Sequence, residues 1–201
     1  MAEVKIAVIY YSATGTNHQL AAAAVASAKE NGAEVRMRRV KELAPKEAMA
    51  TNPQWMAHHE ATRDIVPEAT LDDLDWADGL IFSVPTRFGG MAAQMKQFLD
   101  TAGPLWGQGK LADKAVTAMS SASNPHGGQE TTILSLYATM YHWGAVIVSP
   151  GYTDPVLFSA GGNPYGTSVT APQNGNVSEE VLAAVRYQAK RLVAIAKKLS
   201  R

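Results

Sequence analysis

Five segments of the chain are short, apolar and rich in β-branched or aromatic residues, which is the pattern of buried strands. They are residues 4–11, 33–40, 79–84, 114–120 and 145–149. Four are almost continuously apolar, as expected of strands that are covered on both faces of a parallel sheet. The segment 33–40 alternates more and carries several arginines, so we expect it at the edge of the sheet.

Four other segments have helical character. They are residues 18–31, 91–102, 129–143 and 178–199. Gly32, Gly103 and Gly144 follow the first three and are typical helix stops. The fourth opens with Ser178 and two glutamates and closes with two lysines, the charge order that the helix dipole favours. This alternation predicts an α/β domain, a doubly wound parallel sheet with helices on both faces.

Two connections are longer than such a fold requires, at about 39–69 and 150–177. The first contains three prolines and little periodicity, and the second holds 9 Gly and Pro residues in 28 positions. Loops of this length are usually functional lids or interface elements, or else disordered. We therefore expect one domain over residues 1–201, with these two long loops inserted.

Composition narrows the chemistry. The 18 basic and 18 acidic side chains cancel, which argues against a protein built around nucleic-acid phosphates. The chain has no cysteine, so it lacks disulfides, thiolate nucleophiles and Cys-ligated metal clusters, and any redox chemistry requires a cofactor. No apolar run is long enough to cross a membrane, and no signal-peptide pattern precedes the first strand, which predicts a cytoplasmic protein.

The loop after the first strand has the composition of an anion site. In open α/β sheets ligands bind beyond the carboxyl ends of the strands, and this loop runs into a helix N-terminus whose free N–H groups attract negative charge. It has neither a P-loop lysine nor the Gly-x-Gly-x-x-Gly fingerprint, so it suits a monophosphate that is held and not transferred. Alternatively, Ser12 and Thr14 only cap the helix. The candidate residues are Ser12, Ala13, Thr14, Gly15, Thr16 and Asn17.

Two further loops combine polar groups with glycines, which let the backbone approach a flat ligand closely. Together with a phosphate site they describe a pocket for flavin mononucleotide (FMN). Arg87 is expected to tune the electronics of the flavin ring, the alternative being a surface ion pair. The candidates are Pro85, Thr86, Arg87, Phe88 and Gly89 after the third strand, and Ser121, Ala122, Ser123, Asn124, Pro125 and His126 after the fourth.

Other polar groups carry no predicted site. His58 and His59 are adjacent, so a helix would point them apart, and we expect no metal ion there. The acidic run before the third strand is interpreted as a solvated turn at the opposite end of the sheet. Its members are Asp72, Asp73, Asp75 and Asp78.

Several motifs agree with one known family. They are Tyr10-Tyr11-Ser12, Val84-Pro85-Thr86-Arg87-Phe88-Gly89-Gly90-Met91, Gln94-Met95-Lys96, Phe98-Leu99-Asp100, Gly103-Pro104-Leu105-Trp106, Gly127-Gly128-Gln129-Glu130, His142 and Gly161-Gly162-Asn163-Pro164-Tyr165-Gly166. Over nearly the whole chain this sequence resembles the WrbA family, flavodoxin-like and FMN-dependent NAD(P)H:quinone oxidoreductases.

The resemblance implies a flavodoxin-like five-stranded sheet of order 2-1-3-4-5, noncovalent FMN, and a homotetramer, or alternatively a dimer, with active sites near subunit contacts. By position, residues 12–17 hold the phosphate, residues 86–88 border the ring and residues 121–126 follow its next edge. His142 contacts the flavin from a neighbouring helix, and Trp106 matches the substrate position. No metal and no covalent catalytic residue are implied.

The function that follows is two-electron reduction of quinones to hydroquinones, by ping-pong hydride transfer from NADH or NADPH through FMN. One alternative is a flavodoxin-type electron carrier, which the neutral charge disfavours because such carriers are typically acidic. A second alternative is an FMN-binding regulatory or scaffolding protein without turnover.

Overall fold

The computed structural model describes residues 3–200. Residues 1, 2 and 201, which the predicted domain bounds and the signal-peptide interpretation include, lie outside the described residues. The strands are β1 (Val4–Tyr10), β2 (Ala33–Arg39), β3 (Gly79–Arg87), β4 (Gly90–Met91), β5 (Ala115–Ala122), β6 (Val146–Ile147) and β7 (Ser168–Thr170). The helices are α1 (Thr16–Glu30), α2 (Lys46–Ala50), α3 (Pro53–Thr62), α4 (Leu71–Trp76), α5 (Ala93–Asp100), α6 (Gly103–Gly107), α7 (Gln129–Trp143), α8 (Val156–Ser159) and α9 (Glu179–Leu199).

The main strands are parallel and lie in the order β2-β1-β3-β5-β6. Because β4 is only the short antiparallel partner of β3, this is the predicted order 2-1-3-4-5, which is confirmed. The fifth position differs from expectation, since two short strands share it. β6 pairs with the start of β5 and β7 with its end, with Pro150 and Gly151 in the chain between them. Over residues 3–200 the sheet therefore has seven strands where five were expected.

Both faces of the sheet are covered, as predicted for continuously apolar strands. Along β1, Ile6 and Val8 pack on one face with α1 and α9, while Ala7 and Ile9 pack on the other with α4, α5 and α7. Among residues 3–200, no helix is both long and apolar enough to span a membrane.

The two long connections are more regular than the sequence suggested. Residues 39–69 contain α2 and α3, and residues 150–177 contain α8 and β7. α3 begins with a strong local signal, because the Asn52 side chain accepts hydrogen bonds from the N–H groups of Gln54 and Trp55 and Pro53 occupies the first turn. Local capping, and not hydrophobic periodicity, marks this helix.

The acidic run before β3 is not simply a solvated turn. Asp73 has only 3% of its side chain exposed, and Arg38 donates to its Oδ1 at 2.9 Å. The other oxygen accepts from the Thr70 N–H at 3.0 Å, which completes a capping box at the start of α4. The prediction was wrong for Asp73 because the arginines of β2 and the helix start together satisfy a buried carboxylate.

Candidate functional site

Three loops leave the carboxyl ends of neighbouring strands at one edge of the sheet, the carboxyl edge. We call them the β1 loop (12–17), the β3 hairpin (86–91) and the β5 loop (121–128). β1 pairs in parallel with β3, and β3 in parallel with β5, so the three loops lie side by side. The structure thus brings the three predicted loops together.

The β1 loop presents an open helix start. Gly15 is the N-cap of α1 with φ +101°, a left-handed conformation that favours glycine. Within residues 3–200, no side chain caps the first turn of α1, and that turn has no acidic residue. Its first N–H groups are therefore open to an anion, supported by the positive end of the helix dipole. Ser12 does not cap the turn, but its Oγ accepts from the Gly15 N–H at 3.0 Å.

A buried neutral network holds the β1 loop against β3 and β5. The Asn17 amide donates from Nδ2 to the Ser121 Oγ at 2.7 Å, and its Oδ1 accepts from the Ser83 Oγ at 3.1 Å. All three residues are buried. The Asn17 side chain is thus occupied by the sheet edge, which leaves its backbone N–H for an anion. Sequence reasoning missed Ser83 because it lies inside a strand.

The β3 hairpin has an unusual tip. Phe88 and Gly89 form its two-residue turn with φ +52° and +79°, the conformation of a type I′ turn. Phenylalanine is uncommon at positive φ, and the Phe88 ring is fully exposed at 109% of its reference area. Strain of this kind clusters at functional sites. Arg87 is also exposed, with its Nη1 donating to the Thr86 carbonyl.

The β3 hairpin and the β5 loop touch through glycines. A Cβ on Gly128, which has φ +89°, would lie 2.8 Å from the Cα of Gly89, so only glycine fits there. The Thr86 hydroxyl donates to the Gly128 carbonyl at 3.3 Å and accepts from the Thr132 hydroxyl at 2.6 Å. These contacts fix the relative position of the two loops.

The remaining predicted residues divide by exposure. Pro85, Ser121 and Ala122 are buried in the ends of β3 and β5. The exposed part of the β5 loop consists of Ser123, Asn124, Pro125 and His126. Its path is fixed by the Gln129 amide, which donates to the Asn124 carbonyl at 3.0 Å.

This edge fits a flavin mononucleotide. The β1 loop offers backbone N–H donors and hydroxyls to a phosphate, without a fixed positive side chain of its own. The other two loops offer closely packed glycine backbone and an exposed aromatic ring to a flat group. In residues 3–200, no group of three or more His, Cys, Asp or Glu side chains is placed to hold a metal ion.

A cleft of about 520 Å³ extends the carboxyl edge beyond β5. The β5 loop forms one wall through Pro125 and His126, and Asn163, Ser168 and Thr170 contribute to the lining. The sequence did not single out this cleft, although the Gly161-Gly162-Asn163 run that borders it was noted as a motif.

Trp106 and His142 lie elsewhere in the chain. α7 begins at the β5 loop and has 15 residues, so its far end is about 22 Å from that loop. Gly144, which follows α7, lies beside the start of β5. His142 is in its last turn, and the Trp106 Nε1 donates to the His142 carbonyl at 2.9 Å. Both side chains are exposed. The structure therefore brings these two residues together, but not into the carboxyl edge of their own chain.

Glu42 connects Tyr11, directly after β1, to the helices α3 and α5. Its carboxylate accepts hydrogen bonds from the Tyr11 hydroxyl at 2.9 Å, the Trp55 Nε1 at 3.0 Å and the Gln94 amide at 2.7 Å. Burial acts to raise the pKa of Glu42, but these bonds and one from the Ala44 N–H outweigh it, so the pKa lies below its usual value. Sequence reasoning missed Glu42 because it lies in a segment without periodicity.

Comparison with known proteins agrees with this geometry. Residues 4–153 match the family model of NADPH-dependent FMN reductase. An NAD(P)H dehydrogenase (quinone) of Deinococcus radiodurans is 51% identical over 199 residues, which covers 98% of both chains. One from Geotalea daltonii is 43% identical over 208 residues, with the same coverage. The solved structure of a WrbA-like flavodoxin protein from Agrobacterium tumefaciens has a TM-score of 0.69 at 21% identity, covering 98% of this chain and 99% of that one.

Proposed function

Since this chain belongs to the NADPH-dependent FMN reductase family and is similar over nearly its whole length to NAD(P)H dehydrogenases (quinone), we infer that it is an FMN-dependent NAD(P)H:quinone oxidoreductase. The observation that carries the assignment of its site is the uncapped start of α1 beside two glycine-bearing loops. The overall reaction consumes NAD(P)H, one proton and a quinone, and yields NAD(P)⁺ and a hydroquinone.

The residues of the carboxyl edge bind and orient the reactants in this proposal. FMN, when bound, supplies the hydride-accepting and electron-donating chemistry. The first N–H groups of α1 and the hydroxyls of Ser12 and Thr14 hold its phosphate. The β3 hairpin and the β5 loop border its ring, where Arg87 supplies a cation that stabilises negative charge gained on reduction. NAD(P)H and the quinone occupy one pocket in turn, which gives ping-pong kinetics.

A second copy of the chain supplies Trp106 and His142 in this proposal. Both residues are exposed at the opposite end of α7 from the β5 loop, so they reach a flavin only in an assembly. An exposed tryptophan is typical of a subunit contact, because Trp is enriched in protein–protein interfaces relative to the rest of the surface. We propose a homotetramer in which this pair from one subunit faces the carboxyl edge of another.

Complementation between subunits tests the assembly. One variant carries Trp106→Ala and His142→Ala, and the other carries Asn17→Ala at the carboxyl edge. At an FMN concentration too low to fill the Asn17→Ala site, mixed subunits should recover more quinone reductase activity than either variant shows alone, because one intact site forms across the contact. Activity that never exceeds the sum of the two separate variants contradicts a shared site, and co-purification of the untagged variant with an affinity-tagged one reports whether the mixed assembly forms.

Anaerobic mixing of the FMN-loaded protein with NADPH tests the activity. We expect rapid bleaching of the visible flavin band and its return when benzoquinone is added. An electron carrier would bleach too slowly for turnover, and a regulatory protein would bind FMN without reducing quinone. Either result overturns the proposed function.

A further inference from the structure

Two imidazoles lie beside the β1 loop. The His58 ring of α3 packs against Gly15, because a Cβ added to Gly15 would lie 3.6 Å from the His58 Nδ1. His18, in the first turn of α1, contacts the His58 ring edge-to-face with a centroid separation of 5.4 Å. α3 thus brings a titratable ring to the loop where the phosphate is proposed to bind, from a segment that the sequence predicted to be irregular.

The surroundings hold this pair in place. The Nδ1 of His18 is 2.9 Å from the Tyr10 hydroxyl, which can donate to a neutral ring or accept from a protonated one. α3 is anchored by the hydrogen bond from the Trp55 Nε1 to Glu42. Between α3 and the β1 loop lies a cavity of about 20 Å³, lined in part by Ser12 and His58 and large enough for one water molecule.

The pair is neutral at pH 7 before an anion binds. Burial and the neighbouring His18 and His59 lower the pKa of His58 to about 4, and burial lowers the pKa of His18. Four charged or titratable groups face the pair from other parts of the chain. They are Tyr10 of β1, Tyr11 directly after β1, Arg39 of β2, and Glu42. Arg39 is already engaged by Glu68 and by the Val66 carbonyl.

A phosphate dianion reverses this balance. A negative charge within a few ångströms favours the protonated imidazole, and the effect is large where water is excluded. The β1 loop contains no lysine or arginine that would neutralise the phosphate without a proton. His58 is therefore placed to gain a proton when the loop is filled.

We propose that His58, supported by His18, is a phosphate-binding residue that takes up a proton when FMN binds. The proposal rests on the function proposed above, because it requires the phosphate to occupy the β1 loop. The competing account is that the start of α1 holds the dianion alone, with no protonation of the protein.

Titration calorimetry in two buffers of different ionisation enthalpy measures the protons taken up with FMN. At pH 7 the free phosphate is mostly dianionic, since its second pKa is about 6, so uptake reports the protein. We expect about 0.3 to 1 proton per FMN. Riboflavin, which lacks the phosphate, should bind without uptake. FMN that binds with no uptake overturns this proposal alone, whereas FMN that does not bind overturns the proposed function as well.

Three variants separate charge from structure. His58→Gln should abolish the uptake and weaken FMN binding about tenfold at pH 6.5. His58→Lys should retain the affinity with no uptake, because its cation is present beforehand. His59→Gln, the adjacent ring on the same helix, should leave both values within about twofold. Uptake that persists in His58→Gln, or that is lost equally in His59→Gln, contradicts the assignment to His58.

Discussion

Two regions of this molecule are held by opposite kinds of polar contact. At the carboxyl edge, Asn17, Ser83 and Ser121 form a buried network that contains no charge. At the entry to β3 (residues 70–78), the buried carboxylate of Asp73 is matched by Arg36 and Arg38. The charges of Asp73 and the two arginines are neutralised within the protein. At the carboxyl edge, in contrast, the N–H groups at the start of α1 remain free to bind a ligand. The ion pairs of Asp73 therefore stabilise the fold alone, whereas the Asn17 network stabilises the fold and also positions the cofactor loop.

The largest expected effect comes from the entry to β3. Asp73→Ala should lower the free energy of unfolding by about 3 kcal/mol, because it removes a capping box and leaves Arg38 without its carboxylate partner, while Arg36 keeps Asp72. The melting temperature should fall by about 6–12 °C. FMN affinity of the folded fraction should not change. A parallel loss of affinity in calorimetry would mean that the two regions are coupled.

Asn17→Ala should have a smaller effect on stability and a larger one on binding. It leaves the buried Ser121 hydroxyl without its donor and the Ser83 hydroxyl with only the carbonyl of residue 17, at a cost of about 2 kcal/mol in the free energy of unfolding. FMN affinity should fall by about tenfold or more, since the β1 loop loses its anchor. Asn31→Ala, which removes a helix-end hydrogen bond to the Ser27 carbonyl, is the matched control and should bind FMN normally. Equal affinity in the two variants argues against the anchoring role.

Phe88→Gly should separate stability from function at the tip of the β3 hairpin. Glycine relieves the positive φ of Phe88, so we expect stabilisation by about 1 kcal/mol and a rise in melting temperature of about 2–4 °C. The loss of the exposed ring should raise the KM for quinone several-fold. Thermal melts and steady-state kinetics measure both. A variant that is more stable and fully active would show that the strain serves no binding role.

The smallest effect is expected at Glu42. Its pKa is lowered in the folded protein, so its stabilisation is present above the unfolded pKa of about 4.3 and is lost as pH falls through the folded value. Glu42→Gln should therefore cost under about 1 kcal/mol at pH 7, after allowance for solvent screening at this half-buried site. The difference from the parent protein should shrink below about pH 4. Urea unfolding at several pH values tests this, and a difference that grows in acid contradicts it.

The strands could be predicted because buried parallel strands are continuous apolar runs, whereas their order in the sheet came from the resemblance to the family. The four main helices were also found, since glycines such as Gly32 and Gly144 mark their ends. The sharing of the edge position by β6 and β7 could not be predicted, because a three-residue strand at Ser168–Thr170 is too short to show a hydrophobic pattern. α3 was not predicted, although Asn52 as N-cap and Pro53 in the first turn are typical of a helix start.

The candidate site was predictable only where it is local. The loops after β1, β3 and β5 follow from the rule that ligands bind at the carboxyl ends of strands. The role of Ser83 depends on a contact with Asn17, 66 positions away, and that of Glu42 on Gln94, 52 positions away, and on Trp55 of a helix that the pattern does not reveal. The role of His58 could not be predicted either, since only the packing of α3 brings it to Gly15.

The central claim is that the neutral β1 loop holds the phosphate of FMN. A crystal structure of the protein soaked with FMN tests it most directly. We expect the phosphate within hydrogen-bond distance of the first N–H groups of α1, and the ring between the β3 hairpin and the β5 loop. Density for the cofactor in the cleft beside Asn163 and Thr170, with the β1 loop empty, would contradict the account.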